Sequence, residues 1–361
     1  MSQKFVQFKK LNKIERKKNY LLQRDNHLRL DKNEMISQFS SNFIKLIKKK
    51  INSNTLTTYP EVDKIYKLIS KKYKIKENSI IVTAGSDLAI KNCFELLVRK
   101  NDHIITLSPT YGMVNVYSKL FEARQTKIGF DKNLNLEVDK LLNAIKKSTV
   151  LIIIANPNSP TGKAIHEKQI IKILNLAKKN NTFVLIDECY FDYSKFSSVG
   201  LINKYNNLIL SRSFSKSGLA GCRVGYLVSN VKIASLLYKY RPFYEISSFS
   251  VKTLELFLRY NLNVAYRKEV EKGRKVLESY LIKKGINYFN STTNFILIKL
   301  NSSKIINSLS KFLIKKKILC TVEKNIPHHK QIIRFSLGPV KEMKILIKKL
   351  EFFFTSKKAY F

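Results

Sequence analysis

SRSFSKSGLAGCRVGY, residues 211–226, sets a single lysine among small residues and hydroxyls. Elsewhere in this lysine-rich chain most lysines neighbour other lysines, isoleucines or asparagines. Lys216 instead has Ser213, Ser215 and Ser217 beside it, followed by Gly218, Gly221, Arg223 and Gly225. Small residues let the backbone and a bulky ligand approach each other. Hydroxyls and a guanidinium are what a phosphate needs. An amine in that company points to a phosphate-bearing cofactor held covalently.

The 361 residues suffice for one large domain with a smaller one, or for two comparable ones. A hydrophobic content of 44% with 11% aromatics supports a real core and argues against disorder. The longest apolar runs, such as VLIIIA (150–155), are strand-sized and too short to span a bilayer. No apolar segment follows the basic start, so a soluble cytoplasmic protein is expected. Cys93, Cys189, Cys222 and Cys320 form no CxxC pair, the pattern of reduced thiols rather than of disulfides or a zinc site. His328 and His329, adjacent in PHHK (327–330), read as a solvated loop, and no metal is expected.

The net charge of +41 raises nucleic acid or a membrane surface as partners. The charge is spread along the chain, however, and Lys48–Lys50 and Lys315–Lys317 fall at the ends of amphipathic helical patterns, where a solvated face is the default. There is no zinc finger, aromatic RNA-binding strand or basic zipper helix, so neither specific nucleic acid nor membrane is expected.

On both sides of the opening stretch the chain alternates short apolar runs with helical patterns. SIIVTA leads through Gly85 into SDLAIKNCFELLVRK, a helix for which Ser86 is the expected N-cap. HIITLS, TKIGF, TVLIIIANP, TFVLIDE, NLILS and RVGYLVS follow as strands, with HEKQIIKILNLAKKN as an amphipathic helix between them. Continuous apolar runs mean strands buried on both faces, hence a mainly parallel α/β sheet, whose ligands gather at the carboxyl ends of the strands. From about residue 250, long helical stretches alternate with NYF, TNFILIKL, ILCTV and QIIRFSLG, the texture of a small α+β domain. The expected division is a large domain over 50–245 and a small one over 1–49 plus 246–361.

The candidate chemistry falls at strand ends. TAGSD (83–87) offers a glycine turn and a helix start, where free N–H groups suit a phosphate. SPTYGM (108–113) puts Tyr111 where a ring could cover a planar ligand. NPNSPTG (156–162) makes a rigid turn after an apolar strand, with amides and hydroxyls free for a ring substituent. IDECY (186–190) sets Asp187 and Glu188 at the end of an apolar strand, a costly place for a carboxylate without a partner. A protonated ring nitrogen would be one, and Tyr190 could reach the same ligand. Arg334, in QIIRFSLG (331–338), could grip a carboxylate in bidentate fashion.

Together and in this order, from RLDKNE (29–34) and TYPE (58–61) through TNFILI (293–298) to RFSLG, these motifs give a chain that resembles the fold-type I pyridoxal-phosphate aminotransferases. Within them it is most similar to the histidinol-phosphate aminotransferase family. The resemblance implies pyridoxal 5'-phosphate bound to Lys216 as a Schiff base, with Lys216 then moving the proton between the substrate Cα and the cofactor. Asp187 would keep the pyridine nitrogen protonated, Tyr190 would bond the ring's 3-oxygen and Tyr111 would stack on the ring. Ala84, Gly85, Ser86, Ser213, Ser215 and Arg223 would form the phosphate cup. Tyr59 would reach the neighbouring active site of a homodimer. Arg334 and Asn33 would bind substrate, Arg334 by gripping the substrate's α-carboxylate.

Three positions depart from the family pattern. Ser159 stands where an asparagine usually touches the 3-oxygen, with Asn158 beside it as a substitute. Lys216 and Arg223 lie one residue closer than is common. Thr321 stands where a second arginine usually helps hold the substrate's phosphate end, with Lys324 nearby. The expected reaction is amino transfer from an amino acid such as glutamate to a small, phosphorylated or unphosphorylated, keto acceptor. Decarboxylation of a phosphorylated amino acid on the same scaffold is the alternative.

Overall fold

The computed structural model of the chain describes residues 24–326, 328–329 and 331–356, together with residue 14. A short strand β1 (Leu28–Arg29) precedes the sheet that organises the molecule. That sheet contains β2 (Ile80–Thr83), β3 (His103–Leu107), β4 (Arg124–Ile128), β5 (Thr149–Ala155), β6 (Phe183–Asp187), β7 (Leu208–Ser213) and β8 (Gly225–Ser229), in the order β2-β8-β7-β6-β5-β3-β4. From β7 to β4 every neighbouring pair is parallel. Strand β8 alone runs against the rest, antiparallel to both β7 and β2.

The continuous apolar runs are explained by burial on both faces. Ile152, Ile154, Val184 and Ile186 face one core, while Leu151, Ile153 and Leu185 face the other. Side chains alternate along a strand, so only an unbroken apolar run serves two helical layers at once. The helix Glu167–Lys179 turns Ile170, Ile173, Leu174 and Ala177 into the first core, at the expected 3.6-residue spacing. Among the described residues no helix is long and apolar enough to cross a membrane.

The C-terminal region builds a second layered unit. Strands β9 (Tyr288–Phe289), β10 (Phe295–Ile298), β12 (Thr321–Glu323) and β13 (Ile332–Ser336) form an antiparallel sheet in the order β12-β13-β10-β9. ILCTV, expected as one strand, divides at Cys320: β11 (Ile318–Leu319) pairs in parallel with β1, and β12 pairs with β13. The helices Leu262–Lys283, Ser303–Lys315 and Val340–Ser356 close this unit's own core around Leu277, Leu309, Phe335 and Leu346. At Gly273 a Cβ would collide with the carbonyl oxygen of Gly338, so the long helix passes this close only with glycine there.

The flanks of the large unit pack differently from the division at 50 and 245. Leu30 and Ile36 lie in the small core, but Phe43, on the helix Ser41–Lys50, lies in the large one. Val251, Leu254 and Phe257, on the helix Ser248–Arg259, also join the large core. An amphipathic helix displays its apolar stripe in sequence but not the core that receives it.

Candidate active site

The parallel strands end in a cavity of about 520 Å³, floored by β5, β6 and β7 and roofed by residues 31–34 and Arg334. Asp187 is the last residue of β6 and is 6% exposed. Its Oδ1 is buried without a hydrogen-bond partner in the protein. Burial pushes the carboxyl up to about 7, against the opposing pull of the Ser211 hydroxyl and the Lys216 cation. Glu188, next in sequence, points to the opposite side and finds its own partner. Arg212 donates to Glu188 Oε2 from Nε at 3.0 Å and Nη2 at 2.9 Å, and the Ser198 amide donates to Oε1 at 2.6 Å. Both side chains of this pair are 2% exposed, and the Arg212 guanidinium also stacks over Phe191 at 4.4 Å. The pair locks the ends of β6 and β7 beside Asp187 and Ser213. Removing one partner of such a pair leaves a buried charge unmet, so Arg212→Ala is expected to destabilise the fold by about 3–5 kcal/mol. Chemical denaturation measures this. A loss below about 1 kcal/mol would show that the pair locks nothing.

Lys216 follows β7 in a single wide, π-type turn, Ser215–Leu219, which is kinked at Gly218. Its carbonyl is held by the Tyr193 hydroxyl at 3.0 Å and by Asn294 Nδ2 at 3.2 Å. Its Nζ donates to the Lys32 carbonyl at 3.3 Å and lies 5.7 Å from the Tyr190 ring. Tyr190, buried against Phe295, accepts a hydrogen bond from Asn33 Nδ2 at 2.9 Å. Tyr111 lines the cavity wall, where burial pushes its phenol up.

Ser86, Ser213, Ser215 and Arg223 surround one end of the cavity, where the helix Gly85–Leu97 begins. Gly85 has φ +78, and Arg223 Nη2 lies 3.0 Å from the place its Cβ would take. The guanidinium therefore lies against the helix start, the geometry of an anion site. Ser86 is not the N-cap that the sequence led us to expect. Ala84 holds that position without a side-chain bond, and the Ser86 hydroxyl faces the cavity, where it donates to Cys189 Sγ. Arg223 reaches the site from a left-handed residue at φ 52, despite its shorter spacing from Lys216.

Several expected residues either do not line the cavity or are already committed within the protein. Ala84 and Gly85 stand at the start of the helix, behind Ser86. Asn158 is buried and turned away, with Nδ2 donating to the Pro109 carbonyl and to Thr161 Oγ1, so Ser159 alone of the two faces the cavity. The Asn33 amide is committed to Tyr190 and Ser336, which makes it a support for the phenol rather than a free ligand for substrate. Tyr59 is 74% exposed and stacks on Tyr244 at 4.2 Å. The glycines of the opening stretch serve protein packing more than ligand approach. Gly218 makes room for the Phe257 ring and Gly225 for the Gly85 backbone, and only Gly221 lines the cavity.

Cys189 was missed as a cavity residue although it stands inside IDECY. Its Sγ lies 3.8 Å from Ser86 Oγ and 3.9 Å from Ser215 Oγ, and burial pushes the thiol up. The alternation that sends Asp187 inward and Glu188 outward stops at the strand end, so sequence spacing could not place Cys189. Near the other end of the cavity, Arg334 Nη1 pairs with Glu323 Oε1 at 3.0 Å, and Nη2 donates to the Asp31 carbonyl at 2.8 Å.

Hydroxyls, a guanidinium and a helix start at one end, an unpaired buried carboxylate deeper in, and an amine and a phenol between them fit a phosphorylated nitrogen heterocycle bearing an aldehyde. The family model for class I and II aminotransferases matches residues 26–350. A histidinol-phosphate aminotransferase of Buchnera aphidicola is 34% identical over 312 residues, covering 83% of this chain and 86% of that one. One from Flavobacterium psychrophilum is 30% identical over 306 residues, covering 83% and 87%. The solved structure of histidinol-phosphate aminotransferase from Sinorhizobium meliloti in complex with pyridoxal-5'-phosphate superposes with a TM-score of 0.85 at 18% identity, covering 96% of this chain and 97% of that one.

Proposed function

Because the chain belongs to the class I and II aminotransferase family, we propose that it transfers an amino group from an amino acid such as glutamate to a small keto acceptor. It does so with pyridoxal 5'-phosphate and in the manner of a histidinol-phosphate aminotransferase. The observation that carries this reading is the orphaned Oδ1 of Asp187, buried in the same cavity as Lys216. Its Oδ1 lacks a hydrogen-bonded cationic partner within the protein, and a protonated pyridine nitrogen would be one.

When bound, the cofactor supplies an electron sink for the pair released at the substrate Cα. Lys216 holds the cofactor covalently and moves the proton at Cα. Asp187 keeps the ring nitrogen protonated, and Tyr190, oriented by Asn33, bonds the 3-oxygen. Ser159, which lines the cavity, would serve there in place of an amide, and Tyr111 would cover the ring. Ser86, Ser213, Ser215, Arg223 and the helix start bind the phosphate. Arg334 receives the substrate's anionic group.

The exposed Tyr59–Tyr244 stack is extended by Phe243, 4.8 Å from Tyr244 and 79% exposed, and Leu56, three residues before Tyr59, is 82% exposed. An apolar patch of this kind supports pairing with a second copy, in which Tyr59 would reach the neighbouring cavity. The four cysteines are free, which supports work in the reducing cytoplasm.

An absorption spectrum tests the reading. The loaded protein should show a visible band that bleaches when glutamate is added, releases 2-oxoglutarate, and returns when 2-oxoglutarate is added back. A visible band that neither glutamate nor histidinol phosphate bleaches would overturn amino transfer.

A further inference from the structure

Arg334 is already partly occupied. Strands β12 and β13 pair Thr321 directly with Arg334, and Glu323, two residues along, falls on the same face as their diagonal neighbour. The result is the Arg334–Glu323 ion pair at 3.0 Å, with side chains 12% and 20% exposed. The second nitrogen, Nη2, donates to the Asp31 carbonyl at 2.8 Å and lies 3.4 Å from Thr321 Oγ1. The Thr321 hydroxyl itself donates to the Asp31 carbonyl at 2.9 Å. Only Nε is buried without a partner. The guanidinium lies over the Phe295 ring, 5.4 Å from its centroid.

We propose that Glu323 is a built-in counter-ion that sets which anionic substrates the site accepts. This rests on the reading of Arg334 as the anion receiver. With Glu323 in place, Arg334 and its neighbour sum to no net charge. A substrate anion approaching the guanidinium must share it with a carboxylate on the same face of the sheet. The repulsion grows with the charge brought in, so a singly charged carboxylate is tolerated better than a phosphate dianion. Thr321 offers a hydroxyl in place of a further cation, so nothing at that position offsets the repulsion. The substrate class follows: at the Arg334 end the site takes molecules carrying a single negative charge in preference to phosphate monoesters.

The test uses the cofactor-loaded enzyme and Glu323→Gln, which keeps the side chain's volume and removes its charge. Glu323→Ser is a second variant whose shorter side chain cannot replace the ion pair. Calorimetry with glutarate, which binds without reacting, is read beside the KM values of glutamate, histidinol phosphate and unphosphorylated histidinol. Both variants should bind glutarate about five- to tenfold more tightly and lower the KM of glutamate to match, with the largest gain for histidinol phosphate. Histidinol, with no anionic end, should move less than about twofold, because loss of a counter-ion does not touch it. Unchanged or weaker glutarate binding in both variants would overturn the proposal. Arg334→Gln separates the two possible failures. If it abolishes glutarate binding while the Glu323 variants change nothing, the arginine's role stands and Glu323 restrains nothing. If it too leaves glutarate binding unchanged, Arg334 receives no anion and the premise falls with the proposal.

Discussion

Lys216→Ala is expected to lower kcat by roughly ten-thousand-fold or more, because it removes both the covalent tether and the group that moves the substrate proton. Lysines line the cavity at only two described positions, 32 and 216. Lys32 presents its carbonyl to the Lys216 amine, and among the described residues no carboxylate pairs with Lys216. The amine is therefore free to act, and no neighbour stands ready to replace it. The side chain is only half-buried, so the variant should melt close to the parent. Lys216→Arg should fail equally, since a guanidinium does not become a neutral nucleophile near neutral pH. Adding a small amine such as methylamine should restore part of the turnover by doing the proton transfer. Single-turnover assays on loaded protein decide this, and an alanine variant retaining a tenth of the parent rate would remove Lys216 from the chemistry.

Asp187→Asn should move activity and stability in opposite directions. Turnover should fall by about 10²–10⁴, the usual range for losing a charged group that holds a proton in place, while the cofactor stays bound through its phosphate. The cofactor-free protein should behave otherwise. Burial raises the Asp187 carboxyl from its ordinary value near 3.8 to about 7. Folding therefore favours the protonated form. That contribution is fully present below pH 4 and is lost as the pH rises toward 7, a change on the order of 4 kcal/mol. Asparagine carries no such penalty. The cofactor-free variant should thus be more stable than the parent at pH 7–8 and close to it near pH 4. Thermal melts across that range measure the difference, and a parent whose melting falls no more than the variant's would show that Asp187 is not buried as a lone charge. Cofactor binding should close the gap, since a protonated ring nitrogen meets the carboxylate.

Much of this was legible along the chain because the signals are local. VLIIIA and FVLID read as strands buried on both faces, and the lysine among serines pointed to a ligand site. Other features were hidden because they depend on direction or register. The apolar run of β8 reads the same whether the strand runs with the sheet or against it. Asn158 and Ser159 are neighbours with similar chemistry, and only the path of the turn sends the amide into the protein and the hydroxyl into the cavity. Arg334 and Glu323 are eleven positions apart in a run of otherwise ordinary strand residues, and nothing short of the β12–β13 register shows that they meet.

By itself the sequence determined the α/β architecture, the order of the candidate site motifs and the chemical types they bring to strand ends, because apolar periodicity and strand-end placement are properties of the chain alone. Only the tertiary structure decided which of the candidate side chains face the cavity, which core each flanking helix joins, and which charges cancel. Those choices arise from contacts between segments far apart in sequence, where Asp187 is left without an ion pair and with its Oδ1 unbonded, while its neighbour Glu188 finds an arginine on the next strand.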